Sequence, residues 1–204
     1  MRKLYLLFIW FVVAGALASC DKEDNPNPIT TPVQDYLPTA NGSTWSYGGI
    51  APYTLSVTGE TKVLNGKNYH ELQWQQGLTA YNVYVAKEED VYTAIGLVSG
   101  MGNLEIAILK ENTPVGGSWK QTGSFNGIDY NMLLTIVEKA PTKTIGNKTY
   151  DNVVNVKIET SYSYAGLYSA TKFTTNYYFA KGVGIILTDF GANGQAPLLT
   201  YEVK

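Results

Sequence analysis

The chain of 204 residues contains one cysteine and one histidine. One cysteine cannot form an internal disulfide, and the two residues together cannot supply the four nitrogen and sulfur ligands of a structural zinc site. Carboxylates are the remaining metal ligands, but the charged run at residues 88–90 lacks the alternating ligands and the glycine bend of a calcium loop. We therefore predict neither a bound metal nor a cofactor.

The sequence also lacks a recognisable catalytic group. His70 lies in the motif Tyr-His-Glu-Leu, but the chain has no Gly-x-Ser-x-Gly nucleophile motif, and Glu71 would point to the opposite face of a strand. We predict a protein that is not an enzyme. A hydrolase with paired carboxylates is the least favoured alternative, because the pattern does not show which acids would pair. Its strand-borne candidates are Glu60, Glu71, Glu105, Asp129, Glu138, Glu159 and Asp189.

Positive charge is scarce. The chain has 15 Lys and Arg against 17 Asp and Glu, for a net charge of -2. Removal of Arg2 and Lys3 with a signal peptide would leave 13 basic residues against 17 acidic ones, a net charge of -4. Because affinity for phosphate backbones comes from clustered Lys and Arg, we predict no nucleic-acid partner.

No apolar run reaches the roughly 20 residues of a membrane-spanning helix. The apolar run at residues 4–17 follows Arg2 and Lys3 and ends at Leu17-Ala18-Ser19-Cys20, which is the arrangement of a signal peptide. These four residues resemble the lipobox of bacterial lipoproteins. The resemblance implies a signal peptide at residues 1–19 and a lipidated Cys20 carrying diacylglycerol and a further acyl chain such as palmitate. Two or three acyl chains would hold the protein on a membrane.

Residues 20–37 are predicted to form a lipidated, flexible spacer, with a single domain at 38–204. The charged segment Asp21-Lys22-Glu23-Asp24 resembles the export patch of Bacteroidota-type lipoproteins. This resemblance implies an outer-membrane protein with its domain exposed on the cell surface. A periplasm-facing location stays open, since an acidic residue after the cysteine indicates retention in other Gram-negative bacteria. The proline-rich segment that follows is typical of an extended spacer.

The rest of the chain alternates apolar and polar residues with the period of β-strands. Tyr53, Leu55 and Val57 show this alternation, and a longer series runs through residues 128–136. Asn65-Gly66 and Asn126-Gly127 are typical hairpin turns. No segment shows a helical period. We predict an all-β domain of about ten antiparallel strands in one curved sheet, as a half-barrel or barrel, with a β-sandwich as the alternative.

Several motifs resemble those of exported bacterial all-β lipoproteins whose activity is unassigned. They surround Trp45, Trp119, residues 150–153 and Lys181-Gly182-Val183-Gly184. The resemblance implies a curved antiparallel sheet like the lipocalin and lipoprotein-carrier half-barrels. It implies no activity and no functional residue.

Aromatic residues are plentiful, with 16 tyrosines in the chain. Because tyrosine combines a flat apolar face with a hydroxyl, a cluster of tyrosines can stack against sugar rings. We predict a binding module for a glycan, a lipid or another small apolar ligand, although tyrosine is also a common strand former. A structural or interaction subunit of an outer-membrane assembly is the second hypothesis. The predicted ligand-binding residues are Tyr162, Tyr164, Tyr168, Tyr177 and Tyr178.

Overall fold

The computed structural model describes residues 34–97, 104–125, 127–164, 167–168 and 172–204. All of them fall in one compact unit, Val33–Lys204. The predicted signal peptide, Cys20 and most of the predicted spacer lie outside the described residues. None of the described residues belongs to a helix that could cross a membrane. Their one helical element is a single 3-10 turn at Gly191–Asn193.

Thirteen β-strands form in the described residues. They are β1 (Thr44–Tyr47), β2 (Tyr53–Leu64), β3 (Lys67–Gln76), β4 (Thr79–Glu88), β5 (Val91–Ile95), β6 (Glu105–Lys110), β7 (Ser118–Phe125), β8 (Ile128–Ile145), β9 (Lys148–Tyr164), β10 (Leu167–Tyr168), β11 (Phe173–Ala180), β12 (Gly184–Asp189) and β13 (Gln195–Glu202). The strand order is β6-β5-β4-β3-β2-β1-β13-β12-β11-β9-β8-β7, with β10 paired to β9 alone. The predicted single antiparallel sheet is confirmed. It has twelve strands in its main path rather than ten and is nearly closed into a barrel.

Alternation along the strands builds the core. In β8, Met132, Leu134 and Ile136 are fully buried and face one side of the sheet. Leu134 pairs with Ile158 of β9, and Ile136 pairs with Val156. A tight turn at residues 146–147 joins β8 to β9, where Gly146 has a positive φ of 60° that suits such a turn.

The two ends of the barrel can be assigned from topology, because antiparallel neighbours reverse direction at every turn. The N-terminal end carries residues 34–43 and the turns at 65–66, 89–90, 111–117, 146–147 and 181–183. The distal end carries the turns at 48–52, 77–78 and 190–194, and also the end of β7, the start of β8, the end of β9 and the start of β11. Side chains near these strand ends therefore meet at the distal end even when they are far apart in sequence.

The N-terminal end is closed by the first described residues. Tyr36 is 6% exposed, and its ring packs edge-to-face on Tyr92 with centroids 6.2 Å apart. The Tyr92 hydroxyl accepts a hydrogen bond from the Tyr36 backbone and lies 3.2 Å from a carboxylate oxygen of Asp35. Lys87 forms an ion pair with Asp35. The folded part of the chain therefore includes residues 35 and 36, which lie inside the predicted spacer of residues 20–37.

Two of the sequence motifs pack against each other at this end. The Trp45 indole donates a hydrogen bond to the Val183 carbonyl at 2.6 Å. A Cβ atom on Gly184 would lie 3.2 Å from the same indole nitrogen, so a side chain at that position would crowd the tryptophan. The Gly182 backbone also donates to the Asp35 carbonyl at 2.8 Å. This glycine-containing motif therefore forms a turn that binds the Trp45 indole through the Val183 carbonyl and the Asp35 backbone through the Gly182 amide.

Side chains bridge the seam of the barrel. β6 and β7 are the two ends of the strand order, and no backbone ladder joins them in the described residues. The Trp119 indole donates to the Ala107 carbonyl at 2.9 Å, and the Gln121 side chain accepts from the Ala107 amide at 3.0 Å. The Gln121 amide also donates to the Glu105 carbonyl at 3.4 Å. The Gln121 carboxamide thus takes the place of a neighbouring peptide group along β6.

Candidate functional site at the distal end

The predicted tyrosines do not share one face of the sheet. Tyr177 is 3% exposed and belongs to the core, whereas its neighbour Tyr178 faces the other side, where its ring lies 4.8 Å from the Lys143 ammonium. Tyr162 is half-buried near the distal end, with its ring edge-to-face to Phe173 at 5.8 Å. The side chains of Tyr164 and Tyr168 lie outside the described residues, although their backbones belong to β9 and β10.

A different aromatic row lies at the distal end. Tyr47, Tyr53, Trp74 and Tyr81 follow one another across β1, β2, β3 and β4. Their successive ring centroids are 4.5, 5.7 and 4.4 Å apart, with interplanar angles of 14°, 27° and 26°. We call these four residues the aromatic row. The sequence alternation places Tyr53 on a strand but does not align it with the other three rings.

Strand register explains the row. Tyr47 is directly opposite Tyr53, and Trp74 is directly opposite Tyr81. Tyr53 and Trp74 are diagonal neighbours, since Trp74 pairs with Leu55 two residues along β2. Diagonal positions are within the reach of aromatic side chains. The short turn at Gly77 and Leu78 was the only sequence signal that could have placed Trp74 opposite Tyr81.

The aromatic row runs from the core to the surface. Tyr47 is 2% exposed, and its hydroxyl donates to the Ile185 carbonyl at 2.9 Å. Tyr81 at the other end of the row is 43% exposed. Burial raises the pKa of the Tyr53 phenol far above its ordinary value, although a hydrogen bond with Thr188 opposes the shift. The phenols of Tyr47 and Tyr53 are therefore neutral, and the ring of Tyr81 is partly exposed to solvent.

A first groove runs beside the aromatic row. It has a volume of about 340 Å³ and is bordered by Tyr47 and Tyr53. Its polar border is the cross-strand series Ser46, Thr54 and Gln75, in which each residue pairs with the next. None of the residues that line this groove is charged. These polar residues alternate along their strands with Tyr47, Tyr53 and Trp74, whose rings pack against the core, so the groove offers neutral hydrogen-bonding groups on the outer face of the sheet.

A second groove of about 470 Å³ lies on β7, β8 and β9. Its border includes the facing pair Tyr130 and Tyr162 and the cross-strand series Thr122, Asn131 and Ser161. These residues lie within four positions of the strand ends that form the distal end. The two grooves thus stand at the same end of the barrel.

One apolar cavity inside the barrel is small. It is bordered by Trp45, Tyr47 and Leu72 and has a volume of about 20 Å³. Since roughly 10 to 15 Å³ of such space holds one water molecule, this cavity has room for one or two waters and not for a lipid chain.

No group of three or more His, Cys, Asp or Glu side chains is arranged to hold a metal in the part of the chain that the structure describes. His70 lies on β3 opposite Val85. Asp35 and Glu111 both approach the Tyr92 hydroxyl, at 3.2 and 3.3 Å. Each of these carboxylates forms an ion pair with a lysine, Asp35 with Lys87 and Glu111 with Lys181. Their charges are therefore balanced within a cluster that fastens the N-terminal segment.

Comparisons with known proteins give a fold but no family. No protein-family profile matches the chain, and no curated protein matches its sequence. The fold is similar to a crystal structure of a candidate lipoprotein from Parabacteroides distasonis ATCC 8503, with 13% identity and a TM-score of 0.52. It is also similar to that of a candidate exported protein with a YmcC-like fold from Bacteroides fragilis NCTC 9343, with 8% identity and a TM-score of 0.50. Each match covers 83% of this chain and 99% of the other. At these identities the likeness shows the fold alone.

Proposed function

We propose that this protein is a lipid-anchored, non-enzymatic lipoprotein of the cell envelope that binds a neutral glycan at the distal end of its barrel. The observation that carries the proposal is the aromatic row, which leads from the core to the exposed ring of Tyr81 at the distal end. Sugar rings have apolar faces that pack on aromatic rings and hydroxyls that need neutral donors and acceptors. The ring of Tyr81 supplies an aromatic face, and the uncharged first groove at the same end supplies neutral polar groups.

The chemistry of the groove favours a glycan over a lipid. A bound acyl chain needs a continuous apolar channel, whereas the apolar cavity beside Trp45 has a volume of only about 20 Å³. The border of the first groove is instead polar along Ser46, Thr54 and Gln75. These groups can bind the hydroxyls of a sugar.

Lipid anchoring at Cys20 is supported by the lipobox and by the similarity of the fold to a candidate lipoprotein and a candidate exported protein. The proposed place is the outer membrane, with the domain on the cell surface. The first described residues pack at the N-terminal end of the barrel, and the grooves lie at its distal end.

Anchoring and location are tested in cells. Metabolic labelling with an alkyne-tagged palmitate should mark the wild-type protein and leave Cys20→Ala unmarked. Protease treatment of intact cells should remove the domain. Equal labelling of the two proteins would contradict lipidation of Cys20, and full protection from protease would place the domain on the periplasmic side.

Ligand binding is tested with the Cys20→Ser chain lacking residues 1–19. An array of neutral polysaccharides identifies a ligand, and isothermal titration calorimetry measures its Kd. Tyr81→Ala should raise the Kd about tenfold, because stacking on one aromatic ring contributes about 0.5 to 1.5 kcal/mol and tenfold corresponds to about 1.4 kcal/mol. Tyr201→Ala is the matched control, since Tyr201 is 42% exposed but lies on β13 outside the grooves.

The expected control result is a change in Kd of less than twofold for Tyr201→Ala. Binding that Tyr81→Ala leaves unaltered would overturn the proposed site. Binding to vesicles of plain phosphatidylethanolamine, with no glycan bound on the array, would favour a lipid ligand and overturn the glycan proposal.

A further inference from the structure

We infer that the glycan bound at the distal end is the headgroup of a neutral glycolipid, and that the exposed side chains of Ile50 and Leu78 contact the lipid around it. This inference rests on the proposed function and deepens it, because it states how the sugar is presented to the protein. Its basis is the exposure of these two apolar side chains in turns that lie at the same end of the barrel as Tyr81.

The two turns carry apolar side chains that the fold does not need. Leu78 is fully exposed in the two-residue turn between β3 and β4, and Ile50 is 57% exposed in the turn between β1 and β2. Tight turns are usually built from glycine, asparagine, aspartate, serine or proline, as in Asn65-Gly66 at the other end. A leucine that follows Gly77 is not buried, so its side chain is available for a contact outside the domain.

The apolar side chains lie close to the proposed sugar contact. Tyr81 follows Leu78 by three residues, near the start of β4. Gly77, which directly precedes Leu78, lines the first groove together with Pro52 from the turn that contains Ile50. A sugar packed on the Tyr81 ring would therefore have these two turns beside it. Its lipid portion would lie next to apolar side chains rather than next to charges.

The absence of charge favours a neutral lipid surface. The three described distal turns, at residues 48–52, 77–78 and 190–194, contain no charged residue. Asp189, just before the third of them, accepts a hydrogen bond from the Gly191 amide at 2.9 Å. The described turns and the entering segment at the N-terminal end instead contain Asp35, Glu89, Asp90, Glu111 and Lys181. Contact with lipid is costly for charged groups, and attraction to anionic headgroups needs basic residues that the three distal turns do not have.

The length of chain before the domain is sufficient for this contact. The 14 residues from position 20 to position 33 can span at most about 46 to 50 Å. A strand of ten residues such as β3 has a length of about 33 Å. A chain anchored at Cys20 can therefore bring either end of the barrel to the anchoring membrane. Because tethering raises the local concentration, a weak contact through two side chains would be enough.

The test uses the Cys20→Ser chain lacking residues 1–19, so that no acyl chain contributes to vesicle binding. The first probe is a free oligosaccharide prepared from the strongest neutral polysaccharide on the array. The second is the same oligosaccharide joined to a dialkylglycerol in phosphatidylcholine vesicles, and the third is plain phosphatidylcholine vesicles. The wild type should bind the glycolipid vesicles about tenfold more tightly than the free oligosaccharide, because the leucine and isoleucine side chains leave water.

Three variants separate the lipid contact from the sugar contact. Leu78→Asp should weaken binding to the glycolipid vesicles about tenfold and leave the Kd for the free oligosaccharide unaltered. Tyr81→Ala should weaken binding to both. Val63→Asp is the matched control, because Val63 is 71% exposed near the N-terminal end of the barrel and receives the same charge. It should bind every probe as the wild type does.

The outcomes distinguish this inference from the proposed function. If Leu78→Asp binds the glycolipid vesicles like the wild type while Tyr81→Ala weakens binding of the free oligosaccharide, the lipid contact is wrong and the proposed function stands. If Leu78→Asp weakens both probes equally, Leu78 belongs to the sugar site and the lipid contact is overturned. Equal binding to plain vesicles would overturn the glycolipid. If no oligosaccharide binds in either form, both proposals fail. A Tm equal to that of the wild type shows that each variant is folded.

Discussion

The side chain of Gln121 should be a main contributor to closure of the barrel. It accepts from the Ala107 amide at 3.0 Å and donates to the Glu105 carbonyl at 3.4 Å, where β6 and β7 have no backbone ladder in the described residues. Gln121→Leu keeps a similar side-chain volume and removes both hydrogen bonds. The Ala107 amide then loses its partner in a half-buried position.

The size of the effect follows from these contacts. A net hydrogen bond contributes about 0.5 to 1.5 kcal/mol, and leaving a buried donor without a partner costs about 1 to 3 kcal/mol. Because Ala107 is half-buried and water can partly replace the lost bond, we expect a loss of about 2 kcal/mol for Gln121→Leu. For a domain of this size each kcal/mol shifts the Tm by roughly 2 to 4 °C, which gives a decrease of about 4 to 8 °C.

Two measurements check this prediction. Circular dichroism gives the Tm, and hydrogen exchange followed by NMR gives the protection of the Ala107 amide. Faster exchange at Ala107, together with the lower Tm, is the expected result. Lys120→Ala is the control, because Lys120 is exposed on the opposite face of β7 and should change stability by less than about 0.5 kcal/mol. A Tm within 1 °C of the wild type and unaltered exchange at Ala107 would refute the bridging role of Gln121.

Two further predictions concern the backbone and the buried tyrosines. Gly49 and Gly66 have φ values of 83° and 78°, but a Cβ at Gly49 would overlap the Gln195 carbonyl, whereas the space around Gly66 is open. Urea unfolding should show that Gly66→Ala costs about 1 to 2 kcal/mol and Gly49→Ala clearly more, and equal losses would contradict this steric explanation. Burial raises the pKa of Tyr92 to about 12, so its stabilising contribution is complete below pH 10 and is lost as the pH rises from 10 through 12. Absorbance at 295 nm and circular dichroism should therefore show stability falling above pH 10, less steeply in Tyr92→Phe, and an identical slope in the variant would contradict the assignment.

The fold was largely predictable because strand formation leaves a local pattern. Alternation at residues 128–136 and the Asn-Gly pair at 65–66 determined strands and a turn without knowledge of the partners. The strand count was less predictable. β8 and β9 run for 18 and 17 residues, and a β-bulge between Ile136 and Glu138 shifts the register without ending either strand. A break in alternation therefore does not mark a strand end.

The candidate site was less predictable than the fold. Tyr177 and Tyr178 are adjacent in sequence, and in the structure they occupy opposite faces of β11. Tyr53 and Trp74 are 21 positions apart in the numbering and stack at 5.7 Å. Closeness along the chain therefore did not predict which aromatic rings lie on the same face of the sheet.

The sequence by itself determined the absence of an internal disulfide, the scarcity of basic charge, the resemblance of Leu17-Ala18-Ser19-Cys20 to a lipobox and the β-strand alternation, because each of these depends on residue type or local order. Only the tertiary structure decided which rings form the aromatic row, which side chains bridge the seam and which polar residues border the two grooves. The physical reason is register. A strand that slips by one residue turns every side chain to the other face, and the register is set by contacts with neighbouring strands that local sequence does not contain.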